Sequence, residues 1–338
     1  MHADTRKALN AYFSQLAQLN GVASVHEQFT VTPSVQQRLE NKIQESSAFL
    51  QRINIVGVRE MQGDKLGLGV SGPIASRTDT NSADRATRDV HTLDERRYTC
   101  VQTNYDTHLR YNTIDSWAKF PDFQARVRDA IVKRQALDRI MIGFNGTSAA
   151  ATTNLTTNPL LQDVNIGWLK HIETDAAARV LKEVLAASGK VQVGPSVTAA
   201  NGYKNLDALV FDNIQLLDPW YRDDPSLVAI MGRDLLHDKY FPLVNTSQAP
   251  TETLAADIVI SQKRVGGLQA VAVPFFPANA ILITSLSNLS IYYQDSARRR
   301  NLLDNPKRDR IENYESSNDA FVVEEYGACA LVKNIELA

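Results

Sequence analysis

Apolar residues in the first fifty positions recur at helical spacing in two separate blocks. The first block runs from Asp4 to Asn20, and Gly21 is a suitable stop; its apolar positions are Leu9, Tyr12, Phe13, Leu16 and Leu19. The second helix is predicted from Thr32 as N-cap and Pro33 as first helical residue, and it extends to about Leu50. The polar connector between them, residues 21–30, predicts an exposed loop that few contacts hold.

The segment after Val56 has strand-like ends and a polar middle. Residues 76–89 consist almost entirely of Ser, Thr, Asp, Asn, Ala and Arg, so they cannot bury enough apolar area to form a core. The pattern predicts a long two-stranded hairpin that reaches into solvent. Because an isolated hairpin is only marginally stable in water, this one is expected to lie on a neighbouring chain.

The strongest helical pattern opens at Pro121, in PDFQARVRDAIVKRQALDRIMIGFNG. About 23 residues predict a rod of roughly 35 Å, and Asn145-Gly146 closes it. Beyond it the pattern is α/β: helices are predicted over 166–187, 206–218 and 233–244, with a buried strand over 226–232. Residues 190–202 predict a loop or edge strand. From 256 onward most segments are short strands, including 257–262, 280–284, 310–316 and 321–326.

The composition is that of a globular protein of 338 residues, 43% hydrophobic and 22% charged. The 36 basic and 38 acidic residues give a net charge of −2. A protein that coats nucleic acid usually has a clear basic excess, because phosphate neutralisation supplies most of that affinity. The two cysteines, the missing secretory signal and the missing apolar run of about 20 residues favour a soluble protein in a reducing cytoplasm.

The segment from Asp295 to Glu325 concentrates charge of both signs. Its basic half contains Arg298, Arg299, Arg300, Lys307, Arg308 and Arg310, and its acidic half contains Glu312, Glu315, Asp319, Glu324 and Glu325. Three interpretations are open: a nucleic-acid surface, a charged strand edge that discourages wrong pairing, or arginines that meet carboxylates of a neighbouring subunit. On a strand, Arg299 would point away from the face that Arg298 and Arg300 share.

The sequence contains no convincing catalytic motif. GLGVSG at 67–72 matches G-x-G-x-x-G, but Pro73 and a polar stretch follow where a helix is required. The six histidines are scattered, neither cysteine lies in a nucleophile motif, and Asp223-Asp224 before Pro225 is typical of a turn. We therefore expect no enzyme activity, no catalytic or metal-binding residues and no cofactor.

Several stretches together resemble one family. FTVTPSV, QESSAFLQRINIV, WAKFPDFQARVRDAIVKRQALDRIMIGFNG, NPLLQDVNIGWL, ADIVISQKRVGGLQAV, PANAILIT, NLSIYYQD and NPKRDRIENYESSNDAFVVEEYG resemble the major capsid protein of peduoviruses, temperate tailed phages of the P-two type. The resemblance runs in family order from Thr5 to Leu337. It is weaker over 76–97 and 188–203, where loops tolerate change.

The resemblance implies an α+β chain with the tailed-phage, HK-ninety-seven-like capsid fold. It places an N-terminal arm at 1–56, of which about 1–29 is removed on maturation, and an extended hairpin, the E-loop, at 57–105. A peripheral P-domain follows at 106–164 with its spine helix at 121–144. An axial A-domain spans 165–275, and further P-domain strands span 276–338.

The function implied is that of a late structural protein of the virion, which self-assembles in the host cytoplasm into an icosahedral shell around double-stranded DNA. The implied partners are copies of the chain in pentamers and hexamers, a scaffolding protein, a maturation protease, the portal and weakly held DNA, with no membrane. The alternative is a nucleic-acid-binding structural protein that uses the basic residues 298–310.

Three sets of residues are the candidate sites. The subunit interface is assigned to Arg298, Arg299, Arg300, Lys307, Arg308, Arg310, Glu312 and Glu315. The E-loop contributes Gly67, Gly69, Gly72, Arg77, Asp79, Arg85 and Arg88, and its glycines fit a twisted hairpin. By resemblance, the cleavage region is Gln28, Phe29 and Thr30.

Overall fold

The computed structural model describes residues 3–65, 69–70, 75–82, 84–87, 91–92, 97–117, 123–245 and 263–338. Seven α-helices lie within these ranges: α1 (Ala3–Asn20), α2 (Pro33–Glu45), α3 (Tyr111–Trp117), α4 (Phe123–Asn145), α5 (Trp168–Asp175), α6 (Leu206–Asn213) and α7 (Arg233–Asn245). No helix in the described part of the chain is long and apolar enough to cross a membrane.

The helix predictions hold for five of the six predicted segments, with shorter ends in places. Thr32 is the N-cap of α2 and Pro33 its first residue, but α2 ends at Glu45 and a short 3-10 helix follows at Leu50–Arg52. The prediction of one helix over 166–187 is wrong. There α5 ends at Asp175, and a 3-10 turn and a two-residue strand follow. Val180 and Leu181 instead extend a sheet beside Leu331 and Val332, so tertiary pairing decides their conformation.

Twenty strands are described. They are β1 (Phe29–Thr30), β2 (Asn54–Val58), β3 (Gln62–Asp64), β4 (Gly69–Val70), β5 (His91–Thr92), β6 (Arg97–Thr99), β7 (Val101–Asn104), β8 (Thr107–Arg110), β9 (Val180–Leu181), β10 (Val191–Val193), β11 (Gly202–Tyr203), β12 (Leu227–Met231), β13 (Arg264–Val265), β14 (Leu268–Ala272), β15 (Ile281–Ser285), β16 (Leu289–Gln294), β17 (Arg299–Asn305), β18 (Arg310–Val323), β19 (Cys329–Val332) and β20 (Ile335–Leu337). The predicted strand 257–262 lies outside the described ranges.

The largest sheet is built around β18. Its order is β1-β17-β18-β16-β2, and β7 and β8 also pair with β18. The sequence predicted two strands here, 310–316 and 321–326, but the structure has one strand of 14 residues. Ladders with β17 at one end and β16 at the other hold this strand extended through the polar stretch between the two predicted strands. Residues 190–202 contribute β10, which is the middle strand of a three-stranded parallel sheet with β11 and β20.

A six-stranded sheet separates two apolar cores. Its order is β13-β14-β12-β15-β19-β9. Along the fully buried β12, Val228 and Ile230 belong to one core, whereas Ala229 and Met231 belong to the other. The first core also contains side chains of α2, α4, α5, β16 and β18. Trp168 of α5 is its largest side chain; it is fully buried and donates from Nε1 to the Ser290 carbonyl at 3.0 Å. Because successive side chains of a strand point to opposite faces of the sheet, β12 contributes to both apolar cores.

The predicted hairpin is present as two antiparallel strand pairs, β3 with β6 and β4 with β5. Near its base, the buried Lys65 donates from Nζ to the Val323 carbonyl and lies 4.9 Å from the centre of the Tyr326 ring. The described residues of the tip, 75–82 and 84–87, are almost all exposed. The base is therefore held by the large sheet, whereas the tip has no core of its own.

The prediction that residues 21–30 form a loop with few contacts is wrong. Val25 and Phe29 are buried among apolar side chains of α1, α3 and β17. The Leu302 amide donates to the Val25 carbonyl at 2.9 Å, and β1 pairs with β17 through Phe29 opposite Arg300. The polar residues between these anchors are exposed, which explains the loop-like composition. Two buried side chains hold the whole connector on the sheet edge.

We predict that this anchoring controls proteolysis of the isolated subunit at the exposed Glu27. Phe29→Ala removes a buried side chain and should increase cleavage by a Glu-specific protease after Glu27 at least tenfold, because a Phe-to-Ala change in a core costs about 3–5 kcal/mol. Thr30→Ala, at an exposed position of the same strand, is the matched control. Equal rates for Phe29→Ala and wild type, measured by mass spectrometry over time, would show that β1 does not hold this segment.

Candidate assembly interface

The charged segment 295–325 contributes to an internal network. Arg298 is fully buried at the end of the loop before β17. Its guanidinium reaches Glu40 of α2 at 2.7 Å, Glu315 of β18 at 2.7 Å and the Gln135 side-chain oxygen of α4 at 2.8 Å. One arginine therefore joins the second helix, the long helix and the central strand.

A second buried arginine, Arg139 of α4, completes the network. It makes two hydrogen bonds of 3.1 Å to the Asp319 carboxylate and also pairs with Glu40. The Tyr105 hydroxyl donates to Asp319 at 3.2 Å, and the Ser317 hydroxyl donates to it at 2.8 Å. We call Arg139, Arg298, Glu40, Glu315 and Asp319 the buried charge network.

The network contains two guanidinium groups and three carboxylates, and all five side chains are almost completely buried. Burial alone would raise the pKa of Glu315. The positive charges of Arg298 and Arg300 and hydrogen bonds from Arg298 and Gln135 outweigh burial and lower that pKa. Burial raises the pKa of Tyr105, which therefore stays neutral and able to donate. Such a network adds little net stability, but loss of one member leaves a charge buried without its partner.

Some of the candidate interface residues are buried inside the subunit, and others lie near its surface. Arg298 and Glu315 lie inside the subunit and pair within the chain, so their prediction as contacts between subunits is wrong: the carboxylates that meet Arg298 are its own. Glu312 is also buried and pairs with the half-buried Arg310 at 2.6 Å. Glu312 and Arg310 are thus paired within the chain, and their contact with another copy stays a prediction.

The remaining basic residues lie closer to the surface. Arg300 is partly buried and donates to the Asn313 side-chain oxygen at 2.8 Å. Arg299 points outward, as the strand alternation predicted, and is exposed. Lys307 and Arg308 are exposed in the turn between β17 and β18. The exposed part of the predicted interface is thus Arg299, Lys307 and Arg308.

Sequence reasoning missed Glu40, Arg139, Gln135 and Tyr105. The sequence signal for the two α-helical charges is that each falls on an apolar face: Glu40 lies three residues before Ile43 in α2, and Arg139 lies three residues after Ala136 in α4. A charge at a core-facing helical position needs a partner. The sequence does not identify that partner, since Arg298 and Glu40 are 258 positions apart.

The remaining candidate residues belong to the hairpin and to the predicted cleavage region. Gly69 lies in β4 opposite Thr92. Arg77, Asp79 and Arg85 are exposed in the hairpin tip, where the Asp79 carboxylate accepts from the Asn81 amide at 3.0 Å. Gly67, Gly72 and Arg88 lie outside the described residues. In the cleavage region, Gln28 and Thr30 are exposed and Phe29 is buried.

Nothing in the described part of the chain supports a nucleotide or metal site. Gly69 and Val70 of the G-x-G-x-x-G segment form a hairpin strand, and the next described residues, 75–79, are not helical. Within the described ranges, no group of three or more His, Cys, Asp or Glu side chains could hold a metal ion. Cys100 and Cys329 are both buried, and burial raises the pKa of the Cys100 thiol to about 12.

Comparison with known proteins identifies the family of this chain. A model of the family described as phage major capsid protein, P2 family, matches residues 8–335. The chain belongs to this family. It is 52% identical over 342 residues to the capsid proteins of Escherichia phage P2, covering 100% of this chain and 96% of that one. It is 40% identical to the major capsid protein of Serratia phage KSP20, covering 99% and 97%.

The fold agrees with that membership. A chain of the satellite phage P4 procapsid, a particle that includes the size determination (Sid) protein, superposes with a TM-score of 0.83 at 50% identity, covering 100% of this chain and 99% of that one. A capsid chain of an empty GTA particle superposes with a TM-score of 0.51 at 13% identity, covering 86% and 90%. The second likeness shows the fold alone. The chain is therefore a major capsid protein of the P2 type with the tailed-phage capsid fold.

We predict that Arg298→Met destabilises the isolated subunit by about 3–5 kcal/mol, because it leaves Glu40 and Glu315 buried with one cation fewer. Arg299→Met, next to it on the exposed face, is the control and should change stability by no more than about 0.5 kcal/mol. Urea unfolding followed by circular dichroism measures both. A loss of less than about 1 kcal/mol for Arg298→Met would mean that the network does not hold these elements together.

We also predict an acid dependence from Glu315. Its pKa in the folded chain lies below the value of about 4.5 expected when unfolded, so its stabilising effect is complete above that pH and is lost as the pH falls through the folded pKa. The free energy of unfolding should therefore fall between about pH 5 and pH 3, and Glu315→Gln should have a shallower fall. Glu60→Gln, at an exposed position, should keep the wild-type slope. An unchanged slope in Glu315→Gln contradicts the assignment.

Proposed function

We propose that copies of this chain assemble around an internal scaffolding protein into an icosahedral shell of pentamers and hexamers, which a phage motor fills with double-stranded DNA through a portal. Membership of the family over residues 8–335 supports this proposal most strongly. The near-zero net charge of −2 also supports it. It limits repulsion between copies and keeps the inner wall from binding DNA tightly.

The regions of the chain receive roles in this proposal. The hairpin formed by β3 to β6 is the E-loop and lies on a neighbouring copy, which supplies the cover that its tip lacks. α4 is the spine helix of the P-domain, residues 1–56 are the arm, and 165–275 form the A-domain around the symmetry axes. Arg299, Lys307 and Arg308 are exposed, which suits pairing with carboxylates of another copy.

Trimming by a maturation protease near residues 28–30 belongs to the same proposal. The anchoring of Val25 and Phe29 against β17 means that this segment must first separate from the sheet edge before an active site can receive it. Removal of α1 would then uncover the apolar side chains that Phe13 now covers, among them Leu302 and Ile311.

The alternative, a nucleic-acid-binding protein that uses residues 298–310, is not favoured. The described structure buries Arg298 and pairs Arg310 with Glu312. Three exposed cations remain, and acidic side chains are close to them in sequence. Such a set cannot supply the phosphate contacts on which nucleic-acid affinity depends.

We predict that deletion of residues 76–89 leaves a folded subunit but prevents shell formation, because the tip contacts other copies and none of its described residues belongs to either core. The chain is co-expressed with its scaffolding protein, and particles are examined by electron microscopy and sedimentation. Circular dichroism of the subunit is the control for folding. Normal shells from the deletion variant would overturn the role given to the hairpin, and an absence of shells from the wild-type chain would count against the proposed assembly itself.

A further inference from the structure

A loop without any charge follows the long helix. Residues 147–162, TSAAATTNLTTNPLLQ, contain no Asp, Glu, Lys, Arg or His in a chain of which 22% is charged. We call this segment the uncharged loop. Its ends meet, because the Thr147 amide donates to the Gln162 carbonyl at 2.7 Å and Thr147 bridges to Ile166. Residues 147–157 are all exposed.

Side chains of the loop, together with that of Asp163 directly after it, bond to the loop backbone. The Asp163 carboxylate accepts from the Asn154 amide at 2.7 Å, and the Asn154 side-chain oxygen accepts from the Thr156 amide at 2.9 Å. The Gln162 side-chain oxygen accepts from the Leu160 amide at 3.0 Å. These are the side chain-to-backbone bonds that stabilise tight turns, so the loop does not depend on a partner for its shape.

The loop is also fixed to the body of the protein at the buried charge network. Asn165 is buried and donates from Nδ2 to the Asp319 carbonyl at 2.8 Å. Leu161 adopts a positive φ of 57° and packs against the first apolar core. A leucine in this backbone region is strained, and its burial offsets that cost. The loop is therefore attached to β18 at Asp319, whose carboxylate also accepts from Arg139 of α4.

The outer surface of this rigid loop presents apolar groups to solvent. Leu155 is 66% exposed, and among the large hydrophobic residues of the described ranges only Phe211 is more exposed. Leu160 is 37% exposed. The other exposed positions are mainly Thr, Ala and Ser. A loop that only connects two elements needs neither this order nor these leucines, whereas interface cores are depleted of charge and built around apolar anchors.

We propose that the uncharged loop is a contact surface for a second copy of this chain in the shell, with Leu155 as its buried anchor. The inference rests on the shell assembly of the proposed function and assigns one of its contacts. Pre-ordering favours the contact, because no conformational entropy is lost in shaping the loop when the copies meet. The absence of any cation excludes DNA phosphates as the occupant, and a second copy is the partner that membership of a capsid family provides.

Thiol protection tests the proposal. Both native cysteines are fully buried, so Leu155→Cys introduces the one accessible thiol among the described residues. We expect this thiol to react with a maleimide at least tenfold more slowly in assembled shells than in dissociated subunits. In dissociated subunits, where the hairpin tip is exposed, Thr80→Cys provides the rate scale for an exposed thiol. Equal reactivity of the Leu155→Cys thiol in shells and subunits would overturn the proposal.

Photo-crosslinking identifies what covers the loop. A photo-reactive phenylalanine analogue at the exposed position 156 should give a product of twice the chain's mass when shells are irradiated. A product that contains a different protein would overturn the second copy as the occupant. Where Leu155→Cys gives no shells, Leu155→Met retains an apolar anchor of similar volume and should restore them. Normal shells from Leu155→Lys, which places a charge at the anchor, would overturn the proposal. If wild-type shells also fail to form, it is the assembly proposal that fails.

Discussion

The rest of the structure depends on the pairing of Arg298 and Arg139 with Glu40, Glu315 and Asp319. These five side chains come from α2, α4, the loop before β17 and β18. Apolar packing joins the same elements but tolerates sliding, whereas bidentate guanidinium contacts require one alignment. The network thereby sets the angle of the long helix on the sheet and connects α2 to both. Surfaces that copies use for assembly then have defined positions relative to one another.

Buried and exposed charged side chains have different roles in this chain. Strand alternation around β17 directs Arg298 into the network and Arg299 to the surface. Arg298 therefore contributes to the stability of the subunit, whereas Arg299 is available for contacts with other molecules. The segment 295–325 looked like a single charged patch, yet the structure divides it into a buried half that holds the subunit together and an exposed remainder. A shell subunit needs both, since it must be rigid inside and only moderately adhesive outside.

Local patterns in the sequence predicted the parts whose conformation is decided locally. The spacing of apolar residues predicted α4, Thr32-Pro33 predicted the start of α2, and the polar segment 76–89 predicted a hairpin without a core. Long-range pairing explains the failures. Val180 and Leu181 leave the helical pattern because they pair with β19. Val25 and Phe29, isolated in a polar connector, are buried because β17 offers them an edge. Glu40 could not be matched with Arg298 from one sequence, since their contact depends on the folded sheet.

The most direct test of this account is a side-chain-resolution electron-microscopy structure of shells assembled from this chain. The account predicts that Arg298 keeps Glu40 and Glu315 of its own chain as partners, and that the hairpin tip and Leu155 are covered by neighbouring copies. A structure in which Arg298 pairs with a carboxylate of another copy, while the hairpin tip and Leu155 face solvent, would contradict it.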